Sequence, residues 1–369
     1  MANQVIKVGI IGVTPEKSWA SLAHIPALQA MPDKFQITAI ANSSLESAEK
    51  AARHFNVPHA FGSAEALSQS EHVDLVVVTV KVPHHFSLVK PAIEAGKHVY
   101  CEWPLGNGLA EARDMAGMAA KRDIVAICGT QARYSPAIAY ARDLVADGYI
   151  CDILSTTVVG SGVEWGPTVG QSNAYLCDIA NGASMLSIPM GHTLDAVCGV
   201  LGEVEDISAS LENRQKTATV QETGETIPLT AHDQVLAMGK LASGIPISVH
   251  YRGGLTRASG LVWDIHGSKG DLVIEGPIGH AQLADLTLRG GNGPDLAMET
   301  LTIPERYQEG PGLHMLADNV GRLYADLYRD ITEGTGLAPS FASAVTRQQM
   351  LAAMEASARS GTFEKPNDF

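Results

Sequence analysis

From residue 5 to about residue 129, short β-branched runs alternate with stretches of helical periodicity. "VIKVGIIG" (5–12), "FQITAIAN" (35–42), "VDLVVVTV" (73–80), "KHVYCE" (97–102) and "IVAICG" (124–129) are apolar almost throughout. Strands read this way when both of their faces are covered. Between them, "SLESAEKAARHF" (44–55) and "HHFSLVKPAIEAG" (84–96) repeat their apolar positions every three to four residues. Strand–helix alternation of this kind predicts a doubly wound parallel sheet, a Rossmann domain spanning residues 1–129.

The texture changes near residue 130. "SPAIAYARDLVADG" (135–148) has Ser135 as N-cap, Pro136 in the first turn and Gly148 just past its end, and so predicts a helix. Strand patterns then dominate: 153–162, 204–212, 232–241, 245–254, 261–276 and 281–290 alternate in polarity and are broken by Gly or Asn. They predict a large, mostly antiparallel open sheet with one face partly wet. A mostly apolar helix is expected over 182–202, and the tail reads as helical over 316–334 and 344–361. Residues 130–369 are therefore expected to form a C-terminal α/β domain for substrate binding and oligomerisation. Its tail helices are the segment that can pack back on the N-terminal domain.

Composition narrows the partners. The 369 residues suit two domains, and 45% apolar with 18% charged residues is ordinary for a soluble globular chain. A net charge of −14 argues against an electrostatic grip on nucleic acid or an anionic membrane. The five cysteines are scattered, with no C-x-x-C pair, so neither a disulfide framework nor a metal site is expected. No apolar run is long enough to span a bilayer, and no basic segment leads into an apolar one at the start; the expectation is cytoplasmic. An exposed antiparallel face predicts a homodimer or homotetramer.

The first strand leads into Gly9-x-x-Gly12. A dinucleotide fold needs a glycine where strand turns to helix and another where backbone meets pyrophosphate. The spacing departs from G-x-G-x-x-G, residues 13–18 read as an insertion, and Ala20 is the small residue for helix packing. The second strand ends in Asn42, Ser43 and Ser44, with no carboxylate to repel a 2′-phosphate. The cofactor expected is NADP or NAD, with the balance toward NADP. The same "NSS" also serves as an N-cap.

"AGKHVYCEWPL" (95–105), "TQARYSPAI" (130–138), "GHTLD" (191–195) and "IHGSKGDLVIEG" (265–276) together resemble the Gfo/Idh/MocA oxidoreductase family. "KSW" (17–19), "VKVP" (80–83) and "CEW" (101–103) resemble its Gal80-like subgroup. The resemblance implies hydride transfer between nicotinamide and a carbinol or carbonyl carbon of a sugar, glycoside or polyol. It implies cofactor contacts from Gly9, Gly12, Thr14, Ser18, Trp19, Asn42, Ser43, Ser44, Thr79, Val80, Lys81, His85, Glu102, Trp103 and Gln131. The small-molecule substrate would meet Trp103, Arg133, Tyr134, Trp165, Tyr175 and His192.

Two departures from the family pattern matter. Enzymes of the family read E-K-P where this chain has Glu102-Trp103-Pro104, and an indole cannot exchange the proton that a lysine can. The family's D-x-x-x-H carboxylate is also missing before His192, although His192 and Asp195 persist three apart on one helix face. The catalytic residues expected are His192, Lys81 and Asp195, with His192 managing the hydroxyl proton. One alternative is a catalytically silent, Gal80-like, cofactor-binding transcriptional co-regulator. Another is a reductase of a non-sugar ketone or imine, to which an apolar Trp103 would be suited.

Overall fold

The computed structural model describes residues 5–258, 260–294, 297–308, 310, 312–313 and 315–369. The chain divides into two compact units, residues 1–130 with 310–345, and residues 131–309 with 346–369.

The first unit is built on six parallel strands, β1 (Ile6–Ile11), β2 (Phe35–Ala41), β3 (His59–Phe61), β4 (Leu75–Val78), β5 (His98–Glu102) and β6 (Ala126–Gly129). Their order is β3-β2-β1-β4-β5-β6, with the switch point between β1 and β4. Every residue of β4 is fully buried, which explains its unbroken apolar run. The helices are α1 (Ile25–Gln29), α2 (Leu45–Phe55), α3 (Ala64–Ser68), α4 (His85–Glu94) and α5 (Leu109–Ala119). Ahead of α1 the chain winds a π-helical turn, Ala20–His24. Ser44 caps α2 by accepting from the Ser47 amide, and Asn56 ends it in the left-handed region.

The second unit holds a mostly antiparallel eight-stranded sheet. Its strands are β7 (Ile153–Ser161), β9 (Val204–Glu212), β12 (Gln234–Leu241), β13 (Pro246–Arg252), β14 (Leu261–Gly267), β15 (Gly270–Gly276), β16 (Thr287–Asn292) and β17 (Glu299–Thr300). They lie in the order β17-β16-β15-β14-β7-β13-β12-β9, and β13 pairs with β7 in parallel. A smaller sheet joins β8 (Thr168–Val169), β10 (Thr217–Val220) and β11 (Thr226–Pro228). The helices here are α6 (Pro136–Ala146), α7 (Gly191–Leu201) and the short α8 (Glu305–Gln308).

The long helix expected over 182–202 is shorter. Residues 186–190 wind as a π-helical turn containing Pro189, and regular α-helix starts only at Gly191. Proline supplies no amide to the ladder, so the α-pattern cannot continue through it unchanged. The tail is divided between the units. Helix α9 (Met315–Glu333) belongs to the first; α10 (Phe341–Ser360) begins there and from Thr346 belongs to the second. Between them the tail runs beside β6, where Cys128 donates its amide to the Pro339 carbonyl and Ile127 bridges Ser340 in antiparallel fashion.

One close approach organises the inner face of the large sheet. Gly160 of β7 faces Tyr251 of β13, and a Cβ on Gly160 would lie 2.3 Å from that ring. The ring lies flat over the glycine and its hydroxyl donates to Thr193 on α7 and to the Gly279 carbonyl, at 2.7 and 3.0 Å. Gly160→Ala must displace the ring and break this pairing. It is expected to destabilise the second unit by about 1–3 kcal/mol, read as a lower urea midpoint followed by Tyr and Trp fluorescence.

Candidate functional site

In the first unit the carboxyl edge of the sheet forms a cleft of about 570 Å³, lined among others by Gly12, Thr14, Asn42, Ser43, Ser63 and Glu65. Gly12 has φ near 97°, and a Cβ there would come within 2.6 Å of Val80. Only glycine turns the chain this tightly beside β4. Asn42 locks the turn by accepting from the Val13 amide and donating to the Val13 carbonyl, both at 2.9 Å. Thr79 donates its amide and hydroxyl to the Ile11 carbonyl. Of the expected cofactor residues, Asn42 and Thr79 thus shape the cradle, while Ser43 is exposed on its rim.

The insertion folds on itself. Ser18 accepts from the Thr14 amide at 2.9 Å and donates to the Thr14 carbonyl at 3.0 Å, so 14–18 is a closed turn. The Trp19 indole nitrogen is buried without a hydrogen-bond partner among the described residues. Gly9 is a packing glycine, because a Cβ there would press on Leu67 at 2.8 Å. A glycine turn with a cleft in front of it fits a dinucleotide. No Lys or Arg lines that cleft.

His85 is fully enclosed, with Nδ1 on the Pro104 carbonyl at 2.8 Å and Nε2 on the Val80 carbonyl at 2.9 Å. Burial lowers its pKa, outweighing the two carbonyls. Its place is a clamp between the ends of β4 and β5, where both ring nitrogens are already engaged with backbone. Trp103 is buried, and Lys81 is exposed at the turn after β4. Lys81, expected to be catalytic, thus stands at the start of the turn Val82–His84 with its side chain exposed.

Glu102, at the end of β5, brings in two residues with no sequence signal of their own. His24 bonds Glu102 Oε1 through Nε2 at 2.9 Å and the Tyr324 hydroxyl through Nδ1 at 2.8 Å. His24 is one polar residue in an apolar helical stretch, and Tyr324 lies 300 positions away.

In the second unit Asp195 is 1% exposed on α7. Arg133 grips it with two bonds, Nε to Oδ2 at 2.8 Å and Nη2 to Oδ1 at 2.5 Å. Arg347 of α10 lies 3.7 Å from the same carboxylate and also pairs with Glu203. Burial works to lower the Arg133 pKa, but Asp195 outweighs it and the net direction is upward. The same balance holds for Arg347, with Cys198, Asp195 and Glu203 opposing burial. Burial pushes the neighbouring Cys198 thiol up to about 11, so it stays protonated.

This arrangement recasts two expectations. Asp195, expected to be catalytic, is neutralised by arginines and acts on Arg133, whose side chain keeps 30% exposure. Trp165, expected against substrate, is 2% exposed and spends its indole proton on the Leu176 carbonyl. Tyr134 and Tyr175 are half-buried, and Gln131 and His192 are buried. Burial and the Glu164 charge raise the Tyr175 pKa. Among the described residues no cluster of His, Cys, Asp and Glu could hold a metal, and no helix is long and apolar enough to cross a membrane.

Comparison with known proteins matches residues 6–130 to the oxidoreductase family model with an NAD-binding Rossmann fold, and residues 136–276 to the Gal80p C-terminal domain model. The galactose/lactose metabolism regulatory protein GAL80 of Kluyveromyces lactis is 34% identical over 319 residues, covering 79% of this chain and 69% of that protein. The dehydrogenase aclE of Aspergillus oryzae is 30% identical over 377 residues, covering 96% and 97%. Among solved structures, a super-repressor mutant of Gal80p from Saccharomyces cerevisiae superimposes with a TM-score of 0.90 at 26% identity, covering 98% of each chain. Levoglucosan dehydrogenase with NADH and levoglucosan shares the fold, at a TM-score of 0.85 and 22% identity over 98% of this chain and 99% of that one.

Removing one carboxylate tests the ionic cluster of the second unit. Asp195→Asn leaves Arg133 and Arg347 facing each other without their shared counter-charge. The expected loss is about 3–5 kcal/mol, seen as an earlier urea transition; an unchanged midpoint would contradict the assigned role.

Proposed function

The chain belongs to the Gfo/Idh/MocA oxidoreductase family, in its Gal80-like subgroup, and on that footing we propose that it is a nicotinamide-dependent dehydrogenase of a sugar, glycoside or polyol. The observation that carries this reading is the cleft at the end of β1, where Gly12 and its Asn42 clamp present a turn shaped for a pyrophosphate. A bound nicotinamide would supply the hydride acceptor or donor. Glu65 lines the cleft and Lys and Arg do not, which supports NAD over the NADP toward which "NSS" leans. His192 is assigned to orienting the reacting hydroxyl by a hydrogen bond, and Arg133, held in orientation by Asp195, to a polar group of the substrate.

A second reading, a cofactor-binding regulator without turnover, is favoured by the 34% identity to GAL80 and by Trp103. A reductase of a less polar ketone or imine is the variant that a buried Trp103 would suit. The deciding assay screens sugars, glycosides, polyols, ketones and imines with NAD(H) and NADP(H), following absorbance of the reduced nicotinamide. Turnover is expected with NAD and a sugar or polyol, to be lost in His192→Ala and kept in Trp103→Phe. Tight cofactor binding with no turnover in either direction would select the regulator.

The open face of the large sheet is the proposed surface for self-association. Leu236 and Met238 are 42% and 57% exposed on β12, and they border a shallow depression of about 410 Å³ with Val159, Ser208 and Ser248. An apolar patch on a sheet face is a site for a second copy. Sedimentation is expected to show a dimer or tetramer that Met238→Glu dissociates; a monomer in the unmodified protein would rule this out.

A further inference from the structure

Taking a proton from an alcohol requires a group that can hold it, and Trp103 cannot. Within the first unit, a hydrogen-bonded cluster at the end of β5 has that chemistry. Glu102, His24 and Tyr324 form a hydrogen-bonded line, carboxylate to imidazole to phenol, at 2.9 and 2.8 Å. Its surroundings are aromatic: Tyr100 packs edge-on against His24 at 5.0 Å, Trp19 at 6.3 Å, and Phe35 against Tyr324 at 5.4 Å. Such polar lines are expensive to bury and apolar replacements are often as stable, so this one calls for a use beyond packing.

The direction of the line is defined by exposure. The side chain of His24 is 0% exposed and Tyr324 is fully buried, whereas the Glu102 side chain is 13% exposed. Glu102 ends β5, at the carboxyl edge where open α/β sheets bind ligands, one residue before Trp103. The two partners together set the neutral imidazole. The Glu102 carboxylate only accepts, which calls for the proton on Nε2, and Nδ1 is then left to accept from the Tyr324 hydroxyl. Among the described residues, the titratable groups facing the line include the phenol of Tyr100, His85 and Cys101, the last two within the field of Glu102. Burial keeps the Cys101 thiol and the Tyr324 phenol protonated, and it disfavours charging His85.

We propose that Glu102, backed by His24 and Tyr324, is the acid–base group of this site, taking over the proton work of the lysine that Trp103 replaces; this rests on the oxidoreductase reading. In the oxidative direction the carbinol C–H bond breaks and its electron pair leaves as hydride to the oxidised nicotinamide dinucleotide. The O–H bond breaks, C=O forms, and the proton goes to the Glu102 carboxylate, which releases it to water. The substrate is oxidised, the dinucleotide is reduced, and the reverse reaction returns the proton from Glu102. His24 and Tyr324 are positioning residues.

The test combines kinetics with a readout that needs neither cofactor nor substrate. In protein carrying ¹⁵N-histidine, long-range proton–nitrogen correlation is expected to show His24 as one tautomer, Nε2–H, with His24→Asn assigning the signal. Tyr324→Phe should mix the tautomers and lower kcat about tenfold with KM nearly unchanged. Glu102→Gln should lower kcat at least about a hundredfold. Wild-type turnover that survives Glu102→Gln, or a Tyr324→Phe protein altered in neither tautomer nor kcat, overturns the relay and leaves the dehydrogenase standing. A wild-type protein without turnover on any substrate overturns the dehydrogenase reading, and the relay with it.

Discussion

A Cβ on Gly12 would lie 2.6 Å from Val80, so the end of β1 reaches β4 only because that atom is missing. The rest of the cradle is secured to this contact. The Ile11 carbonyl, one residue earlier, takes two bonds from Thr79; Val80 follows, and its carbonyl is bound by His85, whose other nitrogen holds Pro104 beyond β5. The ends of three neighbouring strands are thus tied in series by short bonds to backbone carbonyls. A neutral imidazole has one proton for the two carbonyls it spans, so His85 holds the pair by position as much as by hydrogen bonding. The result is a rigid edge from which Glu102 projects.

The second unit solves a different problem with charge. Helix α7 is buried almost throughout, yet it carries Asp195 inside. Isolated, that carboxylate would be far costlier than any apolar residue of its size. Arg133, from the turn before α6, and Arg347, from α10, neutralise it, so segments more than 200 residues apart in sequence meet at one side chain. What this expense secures is the fixed orientation of Arg133, which no apolar packing could deliver. The two units therefore contrast in kind: neutral backbone bonds shape the cradle, and an ionic cluster aims a guanidinium.

How much of this was legible depended on whether the signal was local. The strands of the parallel sheet were, because burial on both faces writes an uninterrupted apolar run, as in Leu75–Val78. The large sheet could be read as strands, but period-two alternation specifies a face and not a direction, and the parallel pairing of β13 with β7 was hidden. Apolar content alone made 182–202 look like one helix; Pro189 was the local warning that the first turns are wound differently. In the site, Gly12 and Asn42 stood out by their places at the ends of the first two strands, and Glu102 through the family resemblance of the stretch around it. His24 did not, since a lone histidine on an apolar helix face is ordinarily packing, and its partners lie 78 and 300 positions away. Asp195 was visible three positions from His192 on one helix face, but nothing local named its arginines.

The tail strip beside β6 bears on the order in which the protein comes into being. The Rossmann sheet draws residues 310–345 into its own unit, and Pro339 and Ser340 cover the edge of β6. During synthesis from the N-terminus, that strip begins to leave the ribosome only after residues 131–309, starting 180 residues beyond Thr130. At ordinary elongation speeds the sheet spends roughly 10–40 s with that edge bare, open to pairing with another nascent chain. The first unit is thus closed only when that strip emerges, and residues 346–369, which follow it, complete the second.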